Sequence, residues 1–202
     1  MRLIAEKLGG ERGGELLFHG LDFMVSAGEA LLVTGRNGSG KSTLLRIIAG
    51  LLSQAEGVLR LEGAPVAFEG LTAAAHYLGH LNAMKQVLSV YENLRFWHSF
   101  NGRGQCSIEE ALERVGLGEI GHLPFGYLST GQKRRASIAR LLISQRPVWL
   151  LDEPTAGLDK ASETQFAALM QNHLTQGGLI VAATHLPLGL SGSKELALGA
   201  PL

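Results

Sequence analysis

The sequence predicts an α/β fold: a parallel sheet flanked by helices, with a mainly helical segment inserted near its middle. Two continuous apolar runs, Val148-Trp149-Leu150-Leu151 and Leu179-Ile180-Val181-Ala182-Ala183, have the composition of parallel strands covered on both faces. A third, Ala30-Leu31-Leu32-Val33, leads into a glycine-rich turn and then the helix-forming Leu44-Leu45-Arg46-Ile47-Ile48-Ala49. Strand and helix alternate on either side of a helical block, as an α/β core with a helical insertion requires.

The elements follow in chain order. Residues 3–8 and 21–25 alternate with period two, Leu21, Phe23 and Val25 sharing one face. Ser26-Ala27-Gly28-Glu29 turns the chain into the buried strand 30–33. Gly50 and the stretch 53–57 end the next helix, and 58–61 and 74–78 are strand candidates. Residues from about 87 to 143 are mainly helical, with loops at 101–104 and 116–126. Residues 160–174 form an amphipathic helix with Phe166, Leu169, Met170 and Leu174 on one side. The whole is expected to be one domain over 1–202, with its helical subdomain at about 81–145.

Composition narrows the function. The chain has 202 residues, enough for one domain with an insertion. Its 18 basic and 18 acidic side chains give zero net charge, so no basic footprint argues for nucleic acid. A lone Cys106 permits no intrachain disulfide. The N-terminal residues lack the apolar core of a signal peptide, and no apolar stretch is long enough to span a bilayer. A cytosolic or peripheral membrane protein is expected.

The turn after strand 30–33 carries the first chemistry. Gly35, Arg36, Asn37, Gly38, Ser39, Gly40, Lys41, Ser42 and Thr43 match the phosphate-binding pattern G-x-x-x-x-G-K-[ST], placed between strand and helix as it must be. Glycines let successive N–H groups point at phosphate oxygens, and the helix N-terminus adds partial positive charge. Lys41 can reach the terminal phosphates and the Ser42 hydroxyl can ligate Mg²⁺. A nucleoside triphosphate is the expected ligand. The second signal is Leu150-Leu151-Asp152-Glu153-Pro154, which puts two carboxylates at the end of a buried strand. Asp152 is placed to hold Mg²⁺, and Glu153 to orient and deprotonate a water in line with the γ-phosphate. A third is Leu128-Ser129-Thr130-Gly131-Gln132-Lys133-Arg134-Arg135, with Ser129 as N-cap of a helix whose start is an anion site.

In this order, with Ala156-Gly157-Leu158-Asp159 and Ala183-Thr184-His185 after them, these segments resemble an ATP-binding cassette (ABC) ATPase over the whole length. Residues 128–132 look like the family's LSGGQ signature, with Thr130 where the pattern has Gly; 156–159 resemble the D-loop, and His185 the switch histidine. The resemblance implies the ABC-type P-loop core, an antiparallel β subdomain, ATP and Mg²⁺. It also implies a homodimer formed head to tail on ATP binding, Ser129, Gly131 and Gln132 closing on the nucleotide held by the other copy's Lys41. Glu153, His185 and Lys41 are then the catalytic group, and integral membrane transporter subunits the partners. The chain would sit peripherally on the cytoplasmic face of the inner membrane.

Two departures stand out. Where the family has Gln as a contact to Mg²⁺ and the attacking water, Tyr77-Leu78-Gly79-His80 places His80. Its neutral imidazole can serve, but its protonation would oppose the cation. The aromatic that stacks on adenine is missing from 9–17, and Phe18 is assigned to the core, so base selectivity is expected to be loose. The Tyr-Leu-Gly-His strand end, Lys85, Leu88-Ser89-Val90-Tyr91-Glu92-Asn93-Leu94 and Thr184-His185-Leu186-Pro187-Leu188 resemble the haem-exporter cassettes of bacterial cytochrome c maturation. An ATPase subunit serving another small substrate is the alternative. A GTPase is disfavoured, since no N-K-x-D motif occurs, and tandem or coiled-coil cassettes need more chain. Finally, Tyr91, Phe96, Trp97 and Phe100 cannot share one helix face. Either neighbouring helices cover them or, as the resemblance implies, they form a groove for a short helix of the membrane subunit.

Overall fold

The computed structural model describes residues 1–102, 104 and 106–199, so position 103 of the expected 101–104 loop lies outside the described residues. The chain divides into two compact units, Met1–Gly79 with Arg146–Glu153 and Met170–Leu202, and His80–Gln145 with Pro154–Leu169. The second therefore takes in the expected helical stretch and a further segment after Glu153.

In the first unit, β1 (Arg2–Arg12), β2 (Glu15–Ser26) and β4 (Glu56–Glu62) form an antiparallel sheet in the order β2-β1-β4. A second sheet combines β3 (Ala30–Gly35), β5 (Ala75–Leu78), β6 (Val148–Asp152), β7 (Leu179–Ala183) and β8 (Lys194–Leu198), in the order β5-β6-β7-β3-β8. Its pairings are all parallel. Every residue of β6 and β7 is buried, which explains their unbroken apolar sequences. Ala74 belongs to the short helix α2 (Leu71–Ala74) rather than to the strand that follows it.

Helix α1 (Lys41–Ile48) buries Leu44, Leu45, Ile47 and Ile48 in a core shared with Leu3, Leu8, Val33, Leu150 and Val181. Strand order then positions the site. Neighbouring strands β6, β7 and β3 run parallel, Asp152 pairing with Ala183 and Ala183 with Val33, so their C-terminal ends lie side by side. Such ends are where open α/β sheets bind ligands.

The second unit holds α3 (Val90–Asn101), α4 (Ile108–Arg114), α5 (Thr130–Leu142) and α6 (Lys160–Thr175) through Leu169. Helices α3, α4 and α5 each open on a reciprocal capping box, formed by Ser89 with Glu92, Ser107 with Glu110, and Ser129 with Gln132. Arg135 Nη1 donates to the carbonyls of Val115 and Gly116 at 3.0 and 2.9 Å, tying α5 to the turn after α4. Buried Arg134 donates from Nε to Pro154 O at 3.0 Å, tying α5 to the segment beyond Glu153.

Candidate active site

The first unit contains a cavity of about 350 Å³ lined by Asn37, Gly38, Gly40, Lys41, Ser42, Thr43, Asp152, Glu153 and His185, together with Arg12 and Leu17. Its floor is the start of α1. No side chain caps that helix and no acidic residue lies in its first turn, so its leading N–H groups and dipole remain available to an anion. The chain enters it through Gly40 at φ +96, a left-handed conformation. A Cβ there would come within 2.8 Å of Phe18 Cδ1, so Gly40 is needed for space as well as conformation.

The charged side chains are held before any ligand is considered. Lys41 Nζ donates to Gly35 O at 2.8 Å and Arg36 O at 3.1 Å, which folds the ammonium over the loop. Ser42 Oγ donates to Asp152 Oδ1 at 3.0 Å, joining two of the three expected metal ligands. Asp152 is buried, and its other oxygen accepts from the Tyr77 hydroxyl at 3.3 Å. Burial pushes the Tyr77 phenol above its ordinary value, so it stays a neutral donor.

Glu153 follows with φ +44, a left-handed backbone that costs a non-glycine residue free energy. Its N–H donates to Ala183 O at 2.9 Å, continuing the ladder by one rung and fixing where the carboxylate begins. His185 Nε2 lies 3.0 Å from Asn37 Oδ1 and 3.6 Å from Glu153 Oε1. The imidazole thus bridges the phosphate loop and the candidate base.

Of the other expected site residues, Arg36 and Ser39 lie in the loop, with Ser39 N–H donating to Arg36 O at 3.2 Å. His80 begins the second unit, where its imidazole is exposed. Ser129, Gly131 and Gln132 also belong to that unit. Ser129 Oγ accepts from Gln132 N–H at 3.2 Å, which leaves the hydroxyl proton free to donate elsewhere. A Cβ on Gly131 would come 2.9 Å from Gly157 O, so this position must stay small for the signature to pack on the 156–159 loop. The sequence reading missed Tyr77, Arg12 and Leu17. Tyr77 was detectable, since strand pairing sets it opposite Leu150, two residues before Asp152.

The sequence profile described as ABC transporter matches residues 18–156. A protein of Mesorhizobium japonicum named cytochrome c biogenesis ATP-binding export protein CcmA is 68% identical over 98% of this chain and 98% of its own. A like-named protein of a Chelativorans species is 66% identical over 99% of each, and one of Brucella abortus 62% over 96% of this chain and 89% of that one. Among solved structures, an ABC transporter ATP-binding protein from Pyrococcus furiosus superposes with TM-score 0.83 at 22% identity, covering 98% of both chains. An ATP-binding cassette in a dimeric post-hydrolysis state with ADP and phosphate gives 0.81 at 23% identity, covering 97% of this chain and 94% of that one. The chain belongs to the ABC transporter family of ATP-binding cassette ATPases.

Proposed function

We propose that the protein is the ATP-hydrolysing subunit of a membrane export complex of cytochrome c biogenesis. The near-full-length identity to relatives of that name supports it, and so does a cavity lined by Lys41, Ser42, Asp152, Glu153 and His185. Lys41 and the α1 N-terminus bind and orient the triphosphate. Glu153 takes the proton of the attacking water, and His185, fixed by Asn37, keeps base and γ-phosphate in register. Mg²⁺ fits the donor set, because Ser42 and Asp152 offer two hard oxygens 3.0 Å apart, leaving nucleotide phosphates to complete the shell. When bound, it neutralises charge developing on the transferred phosphoryl group. His80 is assigned a contact to that ion or the water; loss of the acid limb of the pH–rate profile in His80→Gln tests it.

The signature belongs to a head-to-tail pair of cassettes. Helices α3 and α4 carry Glu92, Glu109 and Glu110 in their first turns, whereas α5 has no acidic residue there and closes its capping box with neutral Gln132. Its N-terminus thus keeps its cap and still tolerates a phosphate from a second copy. For the membrane subunits we assign the α3 aromatics. Phe96 and Phe100 are 55% and 72% exposed, and their stacked rings lie 6.1 Å apart. Trp97 is pinned beside them by a hydrogen bond to Ala83 O and by Arg140 over its ring. Among the described residues no helix is long and apolar enough to cross a membrane. In the proposed complex the membrane-spanning part belongs to the partner subunits, and this chain sits peripherally on their cytoplasmic face.

The cargo that the resemblance implies is haem. Cells lacking the protein should lose covalently haem-bearing c-type cytochromes, which the wild type restores and Glu153→Gln does not. Unchanged c-type cytochromes in the deletion would favour the alternative, a transporter of another small substrate.

A further inference from the structure

Arg12 and Leu17 line the cavity yet have no part in its phosphate chemistry. They come from the hairpin joining β1 to β2. Gly13 and Gly14, at φ +63 and +81, form its two-residue turn, and Arg12 pairs with Glu15 across it. The hairpin is anchored at α1: the buried Phe18 ring and Leu17 Cβ both close on Gly40, Leu17 Cβ lying 3.1 Å from where a Cβ would stand. Phe18 is spent on that anchoring and does not line the cavity. The Arg12 guanidinium makes no hydrogen bond or ion pair with any described residue, although Glu15 faces it across the strands. No phenylalanine, tyrosine or tryptophan ring is among the lining residues.

The lining therefore divides by chemistry. Lys41, Ser42 and the loop amides suit the phosphates, and Asp152, Glu153 and His185 suit the hydrolytic end. One planar cation and one apolar side chain remain, and the part of the ligand still unmatched is a flat, aromatic base. We propose that Arg12 and Leu17 form the base platform, the guanidinium lying against the purine face with Leu17 packed beside it. This rests on the reading of the cavity as the nucleotide site. A guanidinium is planar, delocalised and weakly hydrated, so it stacks on π-systems where a compact ammonium does not. Every base has a π-face, so such a platform holds ATP and GTP with similar strength.

Titration calorimetry with ATP and with inorganic tripolyphosphate, which has no base, separates this role from simple charge attraction. Arg12→Ala should weaken ATP by about 3- to 10-fold and leave tripolyphosphate unchanged. Arg12→Tyr should recover ATP affinity, and Arg12→Lys should not. Equal weakening of both ligands, recovery by Lys, or no change in ATP affinity would overturn the platform while leaving the nucleotide site in place. If the wild type bound neither ligand, or Lys41→Ala kept full ATP affinity, the nucleotide reading would fail and the platform with it.

Discussion

Helices α1 and α5 both begin where a phosphate is expected, and they are built in opposite ways. The first has no side-chain cap, starts on a left-handed glycine, and sits in a lined cavity with Lys41 and Asp152 buried beside it. The second is capped by its own Ser129 and Gln132, both near the surface; its first turn has no carboxylate, and the Lys133 ammonium is tied to Gly126 O. In the proposed reading the first is a binding site in its own right, and the second a stable surface that becomes half of a site when a nucleotide is brought to it. That contrast fits an enzyme whose second half belongs to another copy.

The largest effect should come from the complete half. Glu153→Gln should lower turnover by about 10²- to 10⁴-fold while ATP binding and ATP-dependent dimerisation, read by size exclusion, persist. Lys41→Ala should lose binding itself. Gln132→Glu tests the other half: the capping box survives, so the thermal melt should be unchanged, but a negative charge now meets the incoming phosphate. Turnover should fall at least about tenfold and the ATP-dependent dimer should not form. If Gln132→Glu keeps full activity, α5 is an ordinary capped helix.

The double variant Tyr91→Ala with Phe96→Ala should detach the protein from membranes, with stability within about 1 kcal/mol of wild type, since both side chains are exposed. Full co-purification with the membrane subunits would place the docking surface elsewhere. Tyr77→Phe removes one hydrogen bond to Asp152 and should cost about 2- to 10-fold in turnover. The smallest effect is on stability. His173 stacks on Trp149 at 4.0 Å, and burial pulls its imidazole down to about 4. The unfolded chain therefore binds a proton that the fold refuses. Stability is full above about pH 6.5 and falls by up to about 1.4 kcal/mol per unit as the pH drops toward 4. Urea melts at pH 5 and 7.5 should show this, with a flatter dependence in His173→Gln.

The two halves also differed in how far sequence revealed them. The phosphate loop, Asp152, Glu153 and His185 were legible because each follows an apolar run at a strand end, and burial on both faces leaves an unmistakable composition. Strand β8 was not read, because Lys194, Glu195 and Ala197 are exposed and five residues with one buried side chain leave little pattern. The hairpin was read too short: the alternation at 3–8 and 21–25 ended early, since register shifts after Ala5 and Leu8 break the period of both strands. With it went Arg12 and Leu17. Tyr77 was passed over because its partner is distant in sequence, which only strand pairing reveals.

In the proposed enzyme, one active site is assembled from two copies. An equimolar mixture of Lys41→Ala, which keeps its signature helix, and Gln132→Glu, which keeps its phosphate loop, tests it most directly. Each variant alone should be nearly inactive. Together they should recover up to about a quarter of wild-type hydrolysis, because half of randomly formed pairs are mixed and each mixed pair holds one complete site. A mixture no more active than its components, or full activity from Gln132→Glu alone, would rule out a site shared between copies.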